Sequence, residues 1–169
     1  MLVTDKHVFF FSNEDVFSNF YLCNFKDTLE DGSSDTFNCT EQCFMYYKAW
    51  FFKDYDTANK IIKEKVPYNQ KKLGRLVKNY DDSLWSKERE YFMYQANKLK
   101  YLQNEGLLKI LLDTYPKQLV EASKFDKIWG IGLAENNPII HNEVNWKGMN
   151  LLGKVLTKLR NDILNSKGE

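Results

Sequence analysis

Thr36-Phe37-Asn38-Cys39-Thr40-Glu41-Gln42-Cys43-Phe44-Met45-Tyr46-Tyr47-Lys48-Ala49-Trp50-Phe51-Phe52 is the stretch whose reading decides the fold. Asn38 followed by Glu41 three residues later is a helix-start signal, because the side chain at one position can accept from the backbone at the other. From there Phe44, Met45, Lys48, Phe51 and Phe52 recur at steps of three and four. The spacing predicts a helix with one face apolar except for Glu41 and Lys48. At 1.5 Å per residue that pair stands about 10 Å apart along the axis, on nearly the same side. This is too far for an ion pair at the backbone level, but it suits two long side chains leaning into one pocket. On this stretch alone a plainer account is favoured: Glu41 complements the helix dipole, and Lys48 lays its stem on the apolar face with its head in water.

The totals around this helix narrow the class. A chain of 169 residues fits one domain, 1–169, able to bury about 70 % of its unfolded surface. Aromatics are abundant and Pro and Gly few, so a packed core is expected and long disorder is not. The 24 Lys and Arg nearly balance 23 Asp and Glu. Bulk electrostatics therefore demand no nucleic-acid partner, while a local basic patch is compatible with the balance. Cys23, Cys39 and Cys43 lack the paired spacings of a zinc site, and His7 and His141 have no companion at ligand spacing. Reduced thiols, a cytoplasmic location, no metal and no cofactor are the expectations. The apolar start Met1-Leu2-Val3 is broken by Asp5-Lys6, which reads as no signal peptide, and no run approaches a membrane span of about 20 apolar residues.

Outward from the helix, Val8–Phe11 reads as a short buried strand and Leu22–Phe25 as its return. Ser18-Asn19-Phe20-Tyr21 between them is either a ligand-facing turn or a turn that merely closes the hairpin. Lys26–Asp35 reads as an exposed acidic loop. Asp54 or Asp56 caps a second helix to about Lys65. Pro67 opens a third that runs through Val77 and carries Lys71, Lys72, Arg75 and Lys78. Gly74 costs that helix roughly 1 kcal/mol against alanine, which implies close approach of a phosphate or a packed backbone. Ser83 caps a long helix to about Tyr101, with Trp85, Phe92, Ala96 and Leu99 inward. Leu107–Leu112 is a short helix, and Gln118–Ala122 is a strand or a helical turn. Asp126-Lys-Ile-Trp129-Gly130-Ile-Gly132 cannot be comfortably helical, and its glycines call for positive φ or close approach. Trp129 is there either a flat face for a base or sugar or a core residue. Asn136-Asn-Pro138 is a turn, and a last amphipathic helix buries Leu152, Val155, Leu156, Leu159 and Ile163. The class is mainly α, an α+β chain with a small N-terminal β portion.

Taken together, Ser18-Asn-Phe-Tyr21, Glu41-x-x-Phe-Met-x-x-Lys48-Ala49, Lys72-Leu-Gly-Arg75, Trp85, Trp129-Gly-Ile-Gly132 and Trp146-x-Gly-x-Asn150-x-Leu-Gly153 stand in the order and spacing of the NADAR family. The chain resembles this YbiA-like or RibX-like group from about Phe9 to Arg160. The resemblance implies a single, mainly helical YbiA-like domain acting on N-glycosidic bonds of ribose-containing compounds. Some members look like enzymes that hydrolyse riboflavin-pathway intermediates; others remove ADP-ribose from modified guanine in nucleic acid. It also implies a lysine forming a Schiff base with the ribose anomeric carbon, at the position of Lys48, with Glu41 as its acidic partner. Gln42 departs from the histidine or aromatic usual there, and the Asp31–Asp35 loop is longer than typical.

The residues can carry this chemistry under one condition. An exposed lysine is a free amine only about one part in two thousand at pH 7, so a nucleophilic Lys48 requires desolvation by its aromatic neighbours. Glu41 is then the acid toward the leaving base, and Asp126 a second acid/base or a ribose-hydroxyl partner. Arg75 and Lys72 suit a phosphate. Trp85 and Trp129 suit stacking, and Asn19 and Asn150 suit hydroxyls or amide edges, with Ser18, Phe20 and Gly130 beside them. The expected partner is a ribose-phosphate or ADP-ribose-containing small molecule, or an ADP-ribosylated nucleic acid. Hydrolysis by water activated at Glu41 or Asp126, with Lys48 only orienting, and a non-catalytic ADP-ribose-binding module are the alternatives.

Overall fold

A computed structural model describes residues 1–166 and Gly168. In chain order its elements are β1 (Leu2–Val3), β2 (His7–Phe10), β3 (Phe25–Thr28), β4 (Ser34–Phe37), α1 (Thr40–Phe51), α2 (Tyr55–Lys63), α3 (Pro67–Gly74), α4 (Asp82–Leu102), α5 (Glu105–Asp113), β5 (Gln118–Glu121) and α6 (Leu151–Ser166). Short 3-10 turns cover Pro138–His141 and Glu143–Asn145. The mainly helical class with a small β portion is what the sequence predicts. No helix among the described residues is long and apolar enough to cross a membrane.

The chain forms two compact units, Met1–Ser18 with the chain from Glu105 onward, and Asn19–Asn104. In the first, β2 pairs antiparallel with β1 and parallel with β5, Phe9 facing Val120. Phe9, Val120, Ala122, Ile131, Leu133 and Ile140 form its core. Along α6, Leu152, Val155, Leu156 and Leu159 are buried as the period predicts, whereas Ile163 is only half-buried. Arg160 is buried on the same helix and donates to Thr114 Oγ1 at 3.0 Å and to Lys117 O.

The second unit holds the quoted helix. Phe25, Phe37, Cys43 and Ala96 form one of its cores. Here the expected hairpin between Val8–Phe11 and Leu22–Phe25 does not form. β3 pairs with β4 instead, Phe25 opposite Phe37 and Thr28 opposite Ser34, so the segment read as an acidic loop is a hairpin. Alternation explains it: Phe25 and Asp27 turn to the protein while Lys26 and Thr28 face water.

Helix boundaries move for similar reasons. Asn38 is not the cap of α1, because its side chain is drawn to Lys65 O (2.8 Å) and to Gln70 Nε2 (2.9 Å). Cys39 caps instead, its Sγ accepting from Gln42 N at 3.5 Å. Gln42 is itself buried, accepting from Asn38 N at 2.8 Å and donating to Ile61 O and Glu64 O at 3.0 Å each. It thus satisfies carbonyls left over at the end of α2. Asp54 caps α2, and Asp81 rather than Ser83 caps α4, with Ser83 N–H donating to it. α3 stops at Gly74, short of Val77.

Candidate functional site

The second unit brings the expected Glu41 and Lys48 onto one helix beside two other segments. Glu41 lies in the first turn of α1, 6 % exposed, and its backbone N–H donates to Asn19 O at 2.9 Å. That bond ties the Ser18–Tyr21 turn to the helix start. Asn19 is 9 % exposed; its Nδ2 donates to Met93 Sδ at 3.4 Å, and its Oδ1 has no hydrogen-bond partner in the protein. A buried acceptor in that state is a place where a ligand's donor would be stabilised.

Lys48 sits two turns further along α1 and is half-buried. Its Nζ donates to Gly74 O, the last residue of α3, at 2.9 Å, and lies 4.6 Å from the centroid of the Tyr80 ring. Burial holds its pKa below that of an ordinary lysine, the Glu41 carboxylate pulls it back up, and the Arg75 guanidinium adds to the lowering. Desolvation is the largest of the three, which is the balance a reactive amine requires.

Gly74 is the structural answer to the glycine in α3. A Cβ there would lie 1.9 Å from Met45 Sδ, so the close approach is of a packed side chain. Arg75 follows as the C-cap of α3 and is exposed. Lys72 is exposed with Nζ 4.6 Å from the Tyr68 ring centroid, and Lys71 Nζ lies 5.8 Å from that of Phe20. Trp85 is 5 % exposed, stacked on Phe92 at 5.6 Å and surrounded by Phe44, Phe51 and Phe52. Its ring is committed to this aromatic cluster, so it acts as packing behind α1 rather than as an open stacking face. Gln42 is a structural staple by the bonds given above.

In the first unit the remaining expected residues shape one loop. Asp126 Oδ1 accepts from Ile128 N and Trp129 N at 2.8 Å each, so the carboxylate turns the chain that presents Trp129. Trp129 is half-buried. At Gly130 a Cβ would meet Asp126 O at 2.9 Å and Glu121 O at 3.0 Å, and Gly132 takes φ +70°. Both demands read from the sequence, close approach and positive φ, are present here. Asn150 is fully buried with φ +53°. Its Oδ1 accepts from Glu121 N at 3.0 Å and its Nδ2 donates to Leu119 O at 3.1 Å. Both ends of that amide are used by β5, which makes Asn150 a fold-holding residue. Ser18 is buried, its N–H donating to Asp15 O at 2.9 Å. Among the described residues no cluster of three or more His, Cys, Asp or Glu could hold a metal ion.

The NADAR domain pattern matches residues 9–164. This chain belongs to the NADAR domain family. Among curated relatives, Protein irg-1 of Caenorhabditis elegans is 40 % identical, over 95 % of this chain and 81 % of its own length. N-glycosidase R617 of Acanthamoeba polyphaga mimivirus is 39 % identical, over 94 % of this chain and 97 % of its own. The solution structure of YbiA from E. coli superposes with a TM-score of 0.77 at 29 % identity, covering 99 % of this chain and 90 % of that one. The fold of this NADAR chain is therefore the YbiA fold. Sequence reading missed Tyr80 and the Gly74 carbonyl as neighbours of Lys48. Neither has a local signal, since Tyr80 reads only as part of the linker before α4.

Proposed function

We propose that this chain is, like the relatives named for that activity, an N-glycosidase, and that Lys48 is its nucleophile. The substrate class is a ribose-containing nucleotide-like compound, an ADP-ribosyl-guanine or a ribosylaminopyrimidine phosphate. The observation that carries the reading is the placement of Lys48: a desolvated amine that donates to the neutral Gly74 carbonyl, within electrostatic reach of Glu41 and Arg75.

In this mechanism the glycosylamine opens to an imine at the anomeric carbon. The neutral Lys48 amine adds to that carbon, and the base leaves with a proton delivered by Glu41. The resulting Schiff base takes up water, releasing the ribose and returning the Lys48 amine. Arg75 and Lys72 hold the phosphate, the Asn19 Oδ1 accepts from a hydroxyl or amine, and Phe20 flanks base or sugar. Asp126, Gly130, Ser18 and Asn150 shape the loops of their own unit, and Trp85 packs behind α1 through Phe44 and Phe51.

The test is borohydride trapping with ADP-ribosyl-guanine and with a ribosylaminopyrimidine phosphate. A mass adduct on Lys48, and loss of turnover in Lys48→Ala, are expected. Full activity in Lys48→Ala with no adduct would rule the mechanism out and leave water activated at Glu41. Tight ADP-ribose binding without product from any substrate would make the chain a binding module.

A further inference from the structure

We propose that the Gly74 carbonyl and the Tyr80 ring form a resting seat for Lys48, and that Tyr80 is a positioning residue that keeps the amine parked as an ammonium until substrate displaces it. The proposal rests on Lys48 being the nucleophile. It begins with what Lys48 touches. A carbonyl oxygen at 2.9 Å and a ring centroid at 4.6 Å are both partners that favour a cation over a neutral amine. The carbonyl is the last of α3, where the helix dipole places partial negative charge.

The seat is built into the backbone. Gly74 comes close to α1 because it has no side chain to strike Met45. Asn79 takes a left-handed φ of +61°, a conformation Asn tolerates better than most residues, one position before Tyr80. The Tyr80 ring is then fixed at both ends: its edge packs on Phe52 at 5.4 Å, and its hydroxyl donates to Asp82 Oδ1 at 2.7 Å. The charged groups acting on Lys48 from the packed elements are Glu41 on α1, which favours the ammonium, and Arg75 at the end of α3, which opposes it. Tyr80 therefore works with Glu41 against the pull of burial and Arg75, favouring the charged, inactive form. It also gives the stem a defined place from which to swing, so the pH at which the enzyme switches on is set in part by a residue that touches no substrate.

The experiment replaces the ring while keeping its apolar cover. Tyr80→Leu removes the π face without opening Lys48 to water; Tyr80→Phe keeps the face and loses only the bond to Asp82. The Lys48 pKa is read directly by NMR titration of protein carrying ¹³Cε-lysine, with its signal assigned by absence in Lys48→Arg. Tyr80→Leu is expected to lower that pKa by about half to one pH unit, and Tyr80→Phe to leave it near wild type. The acid limb of kcat/KM should move the same way. An unmoved or raised Lys48 pKa in Tyr80→Leu overturns the seat. A lowered pKa with an unmoved pH profile would keep the seat and overturn Lys48 as nucleophile, so the two failures are separable.

Discussion

At the scale of single residues the molecule turns on how an amine is kept from being an ordinary surface lysine. Lys48 has the length to reach water, and the fold instead bends it onto a carbonyl and a ring. Because burial dominates its surroundings, its pKa lies below the usual 10.5. With Lys48 as the proposed nucleophile the sign of the pH dependence follows: below that pKa the amine is protonated and cannot attack, so kcat/KM measured across pH should climb to a plateau as Lys48 loses its proton. Lys48→Arg preserves charge and approximate length, but a guanidinium does not deprotonate in proteins. Turnover should fall ~10³-fold or more, while the circular dichroism spectrum stays that of the wild type. Asn19 gives a second residue-scale expectation. Its orphan Oδ1 is an acceptor, so Asn19→Asp keeps shape and adds charge; Asn19→Leu should raise KM about tenfold through loss of one hydrogen bond of about 1.4 kcal/mol, with kcat less affected.

At the scale of elements, α1 is held by contacts its own sequence does not announce. Gln42 reaches from the first turn of α1 to the carbonyls ending α2 and to the Asn38 N–H. Gln42→Leu removes the acceptor of the Asn38 N–H and one donor each to Ile61 O and Glu64 O, which keep their bonds from Glu64 N–H and Gln70 Nε2, and should cost about 1–2 kcal/mol, read as a lowered urea midpoint. The α1–α3 contact is equally exacting. Gly74→Ala forces Met45 aside and should destabilise by about 1–3 kcal/mol. Adding Met45→Ala makes room for the new methyl, so the double variant should lose less than the two single losses added, a coupling that thermal melts of the cycle would show. The helices themselves were largely legible: a 3.6-residue period and acidic caps such as Asp54 act locally. Asn38 yields its cap to Cys39 because tertiary partners draw its side chain away, and Ser83 yields to Asp81, an acid two residues earlier. The β3–β4 hairpin was obscured because six of its eight strand residues are polar or charged, with only Phe25 and Phe37 apolar, so the segment reads as a loop.

At the scale of the whole molecule, burial of ionisable groups gives the stability a pH dependence. Lys100 is fully buried on α4 and its pKa is pulled down to about 8 by desolvation, against a smaller opposite pull from Cys23 and Cys39. Between about pH 8 and 10 the unfolded chain binds a proton that the folded chain lacks, so this group makes stability rise with pH there, and the gain is lost as pH falls through 8. The full difference is on the order of 3 kcal/mol. Tyr101 works in the other direction: its pKa is raised by burial, so its contribution is lost above about pH 10. Urea midpoints at pH 7 and 9 should therefore differ more in wild type than in Lys100→Met. What the sequence by itself determined is the mainly helical class, the placing of Glu41 and Lys48 on one face, the conformational demands of the Trp129 loop, and the NADAR resemblance; all depend on periodicity, glycine sterics and residue order, which act over a few positions. Only the tertiary structure decided that Trp85 and Asn150 serve packing, that Gln42 is a staple, and that Lys48 rests on Gly74 and Tyr80. Those assignments depend on which distant groups come to share a dry volume, and desolvation and buried hydrogen bonds have no counterpart in the linear pattern.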